Sequence, residues 1–183
     1  MLRKQDMKPS MPRFDVLGQL GSLRRYARSL TRDSTDAEDL VHDALVRAYE
    51  RRGTFRSGGN LRAWLLSIVH NTFIDRMRSR GSEATRLQQA GYLVDGSTPA
   101  PQEHSVRLAQ VREAFFSLPE EQRSALHLVA IEGLSYQQAA DASSVPLGTL
   151  MSRIGRARAA LREMEAAAPA KAKNHLRIVG GPS

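Results

Sequence analysis

The sequence predicts an all-α fold of two small helical domains joined by a flexible linker. Apolar residues recur at steps of three and four along residues 10–80 and again along residues 101–168, which is the spacing of amphipathic helices. Only 5% of the residues are aromatic, and no segment shows the alternation of a strand. Residues 81–100 contain glycines and scattered polar side chains without a sustained period, which predicts the linker, and residues 169–183 are expected to form a mobile tail.

Charge and composition restrict the class of partner. The net charge of +8 and the isoelectric point near 10.5 favour a polyanion, without distinguishing DNA, RNA and an anionic membrane. No stretch approaches the ~18 consecutive apolar residues of a membrane span, and the N-terminus lacks a signal-peptide core, so we expect a cytoplasmic protein without membrane insertion. The absence of cysteine excludes disulfides, thiol switches and cysteine-based zinc sites.

The first informative element of the first domain is a helix with an acidic face. Thr35 and Glu38 have the spacing of a capping box at its start. Compensation of the helix dipole explains acidic side chains in the first turn, but it explains Asp43, two turns further on, much less well. In so basic a chain, an acidic face suits a protein partner better than DNA. The exposed face is predicted to comprise Asp39, His42, Asp43 and Val46.

A longer helix follows the glycine-containing loop at residues 58–60 and ends in a basic segment. Asn71 lies in the middle of this helix, where asparagine is a mediocre helix former and invites an explanation. Its amide could bond back to its own helix, or it could contact a base edge, since an amide pairs with a donor and an acceptor together. The basic end carries Arg76, Arg78 and Arg80.

The second domain contains a helix-turn-helix pattern at residues 135–158. Ser135 and Gln138 have capping-box spacing, and residues 143–146, ending in a proline, interrupt the helical period. A second helix then resumes with a predicted buried stripe of Leu147, Leu150, Ile154, Ala157 and Leu161. Arg153 and Arg156 lie off this stripe beside Ser152. A solvated basic face would account for them too, but the preceding short helix and tight turn favour contact with a DNA groove.

Three segments in order resemble the extracytoplasmic-function (group 4) sigma factors of bacterial RNA polymerase. They are DAEDLVHDALVRAYE, FRSGGNLRAWLLSIVHNTFIDRMRSR and SLPEEQRSALHLVAIEGLSYQQAADASSVPLGTLMSRIGRARAALRE, and the resemblance spans roughly residues 14–165. It implies that the first domain is a sigma-2 helical bundle and the second a sigma-4 helix-turn-helix domain. The second segment looks close to the general-stress-response type of alphaproteobacteria.

The resemblance assigns roles to the candidate residues. Asp39, His42, Asp43 and Val46 would face core RNA polymerase, at the clamp helices of β′, and the chain would also contact β. Family members often have Gln-Glu where this chain has His42-Asp43, and lysine where it has Met151. The resemblance implies that Asn71 reads a base of the −10 element, that Arg76, Arg78 and Arg80 hold phosphates there, and that Thr149, Ser152, Arg153 and Arg156 face the −35 element.

The implied partners are core RNA polymerase, promoter DNA and an anti-sigma factor, with the free chain a monomer. Sigma factors perform no bond chemistry, so the resemblance implies no enzyme activity, catalytic residue, metal or cofactor. The sequence agrees, since it shows no Ser-His-Asp set, P-loop pattern or metal-spaced cluster, and the Glu120-Glu121 pair after Pro119 compensates a helix dipole.

Two other functions remain open at this level. A helix-turn-helix regulator that acts without polymerase would use the first domain for dimerisation or effector binding. A sigma-like interaction protein would sequester an anti-sigma factor without starting transcription. A small basic nucleic-acid enzyme is disfavoured, because no carboxylate or metal constellation is present.

Overall fold

The computed structural model describes residues 15–87 and 105–167, with side chains for 15–80 and 109–166. These ranges contain helices and no strand, which confirms the all-α prediction. None of the helices described is long and apolar enough to cross a bilayer. The first block comprises two 3-10 turns at Leu17–Gln19 and Arg52–Thr54 and helices α1 (Leu20–Thr31), α2 (Ser34–Glu50) and α3 (Leu61–Leu87). The second block comprises α4 (Ser105–Ser117), α5 (Glu120–Ala130), α6 (Tyr136–Ala142) and α7 (Leu147–Ala167).

The first block is a three-helix bundle in which α2 begins differently from the prediction. The capping box of Thr35 and Glu38 was wrong. Asp33 caps the helix instead, and its carboxylate accepts hydrogen bonds from the backbone N–H groups of Thr35 at 2.7 Å and Asp36 at 2.8 Å. Glu38 pairs with Arg24 of α1 at 3.0 Å. Helix α2 buries a stripe of Ala37, Leu40, Val41, Ala44 and Ala48, and the neighbouring Leu45 is half-buried.

Helix α3 continues to Leu87 and so includes the first seven residues of the predicted linker. Residues 82–87 include the strong helix formers Glu, Ala, Arg and Leu, and one glycine within a helix costs only about 1 kcal/mol. The remainder of the predicted linker, residues 88–100, lies outside the described residues, as do residues 101–104 and the predicted tail at 169–183.

The second block contains the predicted helix-turn-helix in α6 and α7. The capping box of Ser135 and Gln138 is confirmed, with both reciprocal hydrogen bonds present at 3.0 and 3.1 Å. Ser144 adopts a left-handed φ of 54° in the turn. Leu150, Ile154 and Ala157 are buried as predicted, whereas Leu161 is only half-buried and Leu147 is 38% exposed. Leu147 is the first residue of α7, which reaches the core of the block only one turn later.

The two blocks pack directly against each other. Helix α1 contacts α5, and α3 contacts α6, so the helix-turn-helix lies against the first block. Arg123 is 1% exposed and crosses the boundary, donating from Nε to the carbonyl of Ser29 at 2.6 Å and from Nη1 to that of Leu118 at 2.7 Å. Burial, with Arg32 nearby, lowers the pKa of Arg123 to about 10, so it remains charged at neutral pH. In this conformation the two blocks are therefore packed together and not separated.

Candidate nucleic-acid and protein interfaces

Helix α2 presents the predicted acidic face to solvent. Asp39, His42 and Asp43 are exposed, and Val46 is 48% exposed, because the stripe on the other side of α2 is buried against the bundle. Tyr49 extends this face by one turn and is 67% exposed, with the guanidinium of Arg52 lying 4.3 Å from its ring centroid. Val46 and Tyr49 thus add two exposed apolar side chains to the acidic face, and tyrosine is a residue type enriched at protein interfaces.

Salt bridges connect the acidic helix α2 to α3. Arg76 pairs with the carboxylate of Asp43 and also donates to the carbonyl of Asp39 at 2.9 Å. Arg80 lies 3.5 Å from the carboxylate of Asp36. Such partly exposed pairs each contribute at most about 1 kcal/mol to stability. Together with Arg47 and Asp75, which pair at 2.6 Å, they fix how α2 sits on α3.

The four predicted −10 residues divide between two faces of α3. At ~100° per residue, Arg76 and Arg80 lie ~140–180° around the helix from Asn71, whereas Arg78 lies within ~20° of it. Asn71 and Arg78 are both exposed and line the same cleft. The prediction that Arg76 and Arg80 hold phosphates remains a prediction, but in this conformation both are occupied by carboxylates of α2.

A cleft of about 560 Å³ lies between α3 and the second block. Asn71 and Arg78 line it from α3, and Arg153 lines it from α7. The predicted −10 reader and a predicted −35 reader therefore face each other across one cavity. The opposite wall includes Ser143 and Ser144 of the turn between α6 and α7.

Next to Asn71, His70 is buried and hydrogen-bonded. Its Nδ1 lies 2.9 Å from the hydroxyl of Tyr26, which is fully buried on α1. Burial, and then the charge of Glu120, raises the pKa of Tyr26, so its hydroxyl keeps its proton and can donate to the imidazole. Burial, with the cation of Arg153 nearby, lowers the pKa of His70 to about 4. His70 is therefore neutral in the folded protein at neutral pH.

We expect the buried His70 to lower the free energy of unfolding as the pH decreases. Above about pH 6.5, His70 is neutral in both the folded and unfolded chain; as pH falls towards 4, only the unfolded chain takes up the proton. At pH 4.5 the free energy of unfolding should be about 2–3 kcal/mol lower than at neutral pH. Denaturant unfolding between pH 7.5 and 4.5 measures it. His70→Gln should flatten this dependence, and His42→Gln serves as an exposed control; equal slopes in wild type and His70→Gln would contradict the assignment.

Helix α7, the second helix of the helix-turn-helix, exposes most of the residues that were predicted to face the −35 element. Thr149, Ser152 and Arg156 are exposed, and Arg156 donates to the hydroxyl of Ser152 at 2.8 Å. Arg153 differs, since its side chain is only 20% exposed and pairs with Glu121 of α5 at 2.8 Å. Met151, where the resembling family often has lysine, is 53% exposed. In this conformation Thr149, Ser152 and Arg156 are therefore accessible from solvent, whereas the guanidinium of Arg153 is occupied by the carboxylate of Glu121.

Glu132, in the loop after α5, was missed by the sequence analysis. Its side chain is 0% exposed and accepts hydrogen bonds from Ser22 and Arg25 of α1 and from His127 of its own block. Burial raises the pKa of Glu132, but the hydrogen bonds from His127, Ser22 and Arg25 outweigh it and hold the pKa at about 2. No local sequence pattern marks this residue, because its partners on α1 lie more than 100 positions away, 110 for Ser22.

Two family models match the chain. Sigma-70 region 2 matches residues 19–83, and Sigma-70 region 4 matches residues 108–161, which together cover more than half of the 183 residues. The first match spans the acidic helix and the helix that carries Asn71. The second spans the helix-turn-helix. The two matched regions therefore correspond to the two helical blocks.

Curated relatives and solved structures agree with these matches. The chain is 37% identical over 149 residues to the ECF RNA polymerase sigma factor EcfG of Rhodopseudomonas palustris, covering 81% of this chain and 82% of the relative. The sigma factor RpoE of Bartonella quintana, solved with the anti-sigma factor NepR, has a TM-score of 0.71 at 35% identity, covering 84% of this chain and 96% of RpoE. CnrH, solved with the cytosolic domain of CnrY, has a TM-score of 0.58 at 30% identity, covering 84% and 86%.

Proposed function

Because this chain belongs to the extracytoplasmic-function group of the sigma-70 family, we propose that it binds core RNA polymerase and directs it to specific promoters under the control of an anti-sigma factor. The observation that carries the proposal is the presence in one chain of three surfaces, each on its own helix. They are the exposed acidic face of α2, the Asn71 face of α3 and the recognition helix α7.

The acidic face of α2 is the proposed contact with core polymerase, at the β′ clamp helices. Asp39, His42 and Asp43 offer polar and acidic groups, and Val46 offers an apolar contact between them. Charges of this kind give an interface its specificity and fast association. The exposed Tyr49 is a natural extension of this surface, since aromatic side chains are enriched at protein interfaces.

The Asn71 face of α3 is the proposed reader of the −10 element. Asn71 can hydrogen-bond to the edge of an extruded base, and Arg78 beside it can hold the adjacent phosphate. Taking a base out of the stack costs a few kcal/mol, which contacts to the base and backbone must offset. Arg76 and Arg80 are proposed to assist with phosphates once Asp43 and Asp36 of α2 no longer pair with them.

The recognition helix α7 is the proposed reader of the −35 element in the major groove. Thr149, near the start of the helix, is proposed to contact a phosphate, while Ser152, Arg153 and Arg156 are proposed to face base edges. The phosphodiester chemistry belongs to core polymerase, so the chain itself is proposed to be no enzyme. It would act in the cytoplasm, where bacterial polymerase meets the chromosome.

Control by an anti-sigma factor is inferred from the relatives. RpoE was solved with NepR and CnrH with the cytosolic domain of CnrY, and both are at least 30% identical to this chain. A chain without cysteine cannot sense a thiol signal by itself, so a redox signal would have to enter through the partner.

In vitro transcription tests the proposal. Purified chain and core RNA polymerase should start transcripts at a defined subset of genomic promoters, whereas core alone should not. A folded chain that binds core without starting transcripts would favour a sigma-like interaction protein. A chain that binds palindromic DNA without core would favour the polymerase-independent regulator.

A further inference from the structure

Ion pairs between α2 and α3 show how these two helices of the first block are aligned. Each later residue of α2 pairs with an earlier residue of α3, so the helices run antiparallel. Among the described residues, the pairs are Asp36 with Arg80 at 3.5 Å, Asp43 with Arg76, and Arg47 with Asp75 at 2.6 Å. The pair of Arg47 and Asp75 lies nearest to the end of α2.

Arg51, the C-terminal cap of α2, lies one helical turn beyond Arg47. Its backbone N–H donates to the carbonyl of Arg47 at 3.0 Å, as in an α-helix, so the two side chains project from the same side of α2. In an antiparallel alignment, the residue one turn before Asp75 on α3 lies at the level of Arg51. That residue is Asn71, and both Arg51 and Asn71 line the same cleft.

The guanidinium of Arg51 has no anionic partner within the part of the chain that the structure describes. Arg51 is exposed. The carboxylate of Asp75, on the same wall of the cleft, is bound by Arg47. Each earlier level of the two helices joins an arginine to a carboxylate, but the level of Arg51 has the neutral amide of Asn71. An anion from outside the chain can therefore pair with this arginine.

We propose that Arg51 is a further DNA-binding residue, which holds a backbone phosphate beside the −10 base that Asn71 reads. The inference rests on the proposed function of the Asn71 face. A nucleotide within a strand has one phosphate on each side of its base, so two cations can hold it. Arg78, seven residues further along α3 and about 10 Å along the helix axis, binds one of them, and Arg51 binds the other from α2.

This contact adds affinity and orientation to the site, but no discrimination between bases. Phosphate contacts fix the register of a strand and carry no sequence information directly. The planar fork of a guanidinium can donate to two phosphate oxygens together. The ion pair of Arg47 and Asp75 helps to hold the end of α2 on α3, so Arg51 keeps its position relative to Asn71.

Arg51 and Arg52 offer a matched pair of variants. Arg52 is the next residue and carries the same charge, but its Nη1 donates to the carbonyl of Tyr49 at 2.9 Å and its guanidinium lies over the ring of that tyrosine. Arg52 is also absent from the lining of the cleft. Arg51→Ala removes an exposed side chain, so the variant should unfold at the same temperature as the wild type.

The test titrates each holoenzyme, at saturating core polymerase, with a fluorescent single-stranded oligonucleotide. The oligonucleotide carries the −10 element of a promoter that the wild-type holoenzyme transcribes. Arg51→Ala should weaken binding roughly three- to thirtyfold, as for one solvent-accessible charge-assisted contact, and Arg52→Ala should stay within about twofold of the wild type. Arg51→Lys should recover most of the affinity, because an ammonium also binds phosphate.

Two further readouts identify the contact as one to phosphate. The loss in Arg51→Ala should be equal for all single-base variants of the −10 element. The plot of log binding constant against log salt concentration should become shallower by about 0.7, the value for one phosphate of a single strand. A loss confined to one base would overturn the phosphate contact. Equal losses in Arg51→Ala and Arg52→Ala would overturn it too, because they would show only diffuse charge.

Asn71→Ala distinguishes failure of this inference from failure of the proposed function. If Asn71→Ala weakens binding of the −10 strand and Arg51→Ala does not, the phosphate contact is wrong and the Asn71 face stands. If neither variant weakens it, the proposed role of the Asn71 face is wrong. Weaker binding of core polymerase by Arg51→Ala, with unchanged DNA binding at saturating core, would assign Arg51 to the polymerase and overturn the inference.

Discussion

Asp43→Arg should abolish most binding of core polymerase while leaving the chain folded. Asp43 is exposed in the middle of the acidic face, and reversing its charge there would place an arginine against a surface that is proposed to accept a carboxylate. Like charges facing each other across an interface cost several kcal/mol, so we expect a loss of about 2–5 kcal/mol, at least ~30-fold in Kd. Fluorescence anisotropy of the labelled chain with core polymerase measures the change.

Glu38→Arg is the matched control for this charge reversal. Glu38 lies on the same helix and is as exposed, with a side-chain exposure of 55% against 50% for Asp43, but it faces Arg24 on α1. The Glu38→Arg variant should bind core polymerase with nearly the affinity of the wild type. If both reversals weaken binding equally, the effect is one of net charge and the acidic face has no special role.

The swap of Asp43 and Arg76 separates polymerase binding from folding. Asp43→Arg alone leaves Arg76 beside a like charge, which could loosen α2 from α3. Asp43→Arg combined with Arg76→Asp restores an opposite pair at the same positions. The double variant should recover any lost thermal stability but should remain defective in core binding. Recovery of core binding as well would show that the salt bridge, rather than the surface, matters.

Arg153→Ala and Arg156→Ala should impair recognition of the −35 element by about 1–3 kcal/mol each if the arginine reads a base. A base-reading arginine should lose discrimination at one position of the element, whereas a phosphate contact should weaken all sequences uniformly and lower the salt dependence by about one unit of slope. Binding of the assembled holoenzyme to a set of single-base −35 variants, at two salt concentrations, distinguishes these results.

Arg158→Ala provides the control, because Arg158 is exposed on the other flank of the buried stripe of α7. It removes the same charge from the same helix, but it should change the base preference and the DNA affinity less than Arg153→Ala or Arg156→Ala does. If Arg158→Ala has the same effect as the other two substitutions, the helix contributes diffuse charge and not specific contacts.

Glu121→Gln tests Arg153 in a second way. This substitution weakens the ion pair between Glu121 and Arg153, so Arg153 should be freed and binding of the −35 element should improve slightly.

Much of the fold was determined by local patterns in the sequence. The buried stripe of α2, the interruption before α7 and the capping box of Ser135 and Gln138 follow from helical spacing and turn chemistry, which act between residues a few positions apart. The exposure of Asp43 and Arg156 follows in the same way, since the face opposite a buried stripe is solvent-facing. Two of the errors, the cap of α2 at Asp33 and the exposure of Leu147, fell at helix starts, where one residue of shift changes the assignment. A third, the continuation of α3 to Leu87, fell at a helix end.

The tertiary structure alone decided which of these surfaces meet. No local sequence pattern predicts that Arg76 pairs with Asp43, 33 positions away, or that Asn71 and Arg153 line the same cleft. The buried carboxylate of Glu132 accepts a hydrogen bond from Arg25, 107 positions earlier in the chain. A helical period reports which side of one helix is apolar, whereas an ion pair between distant segments exists only once packing has placed them within a few ångströms. The sequence therefore determined the helices and the residues they display, and the packing of the two blocks decided which of those residues are turned towards one another.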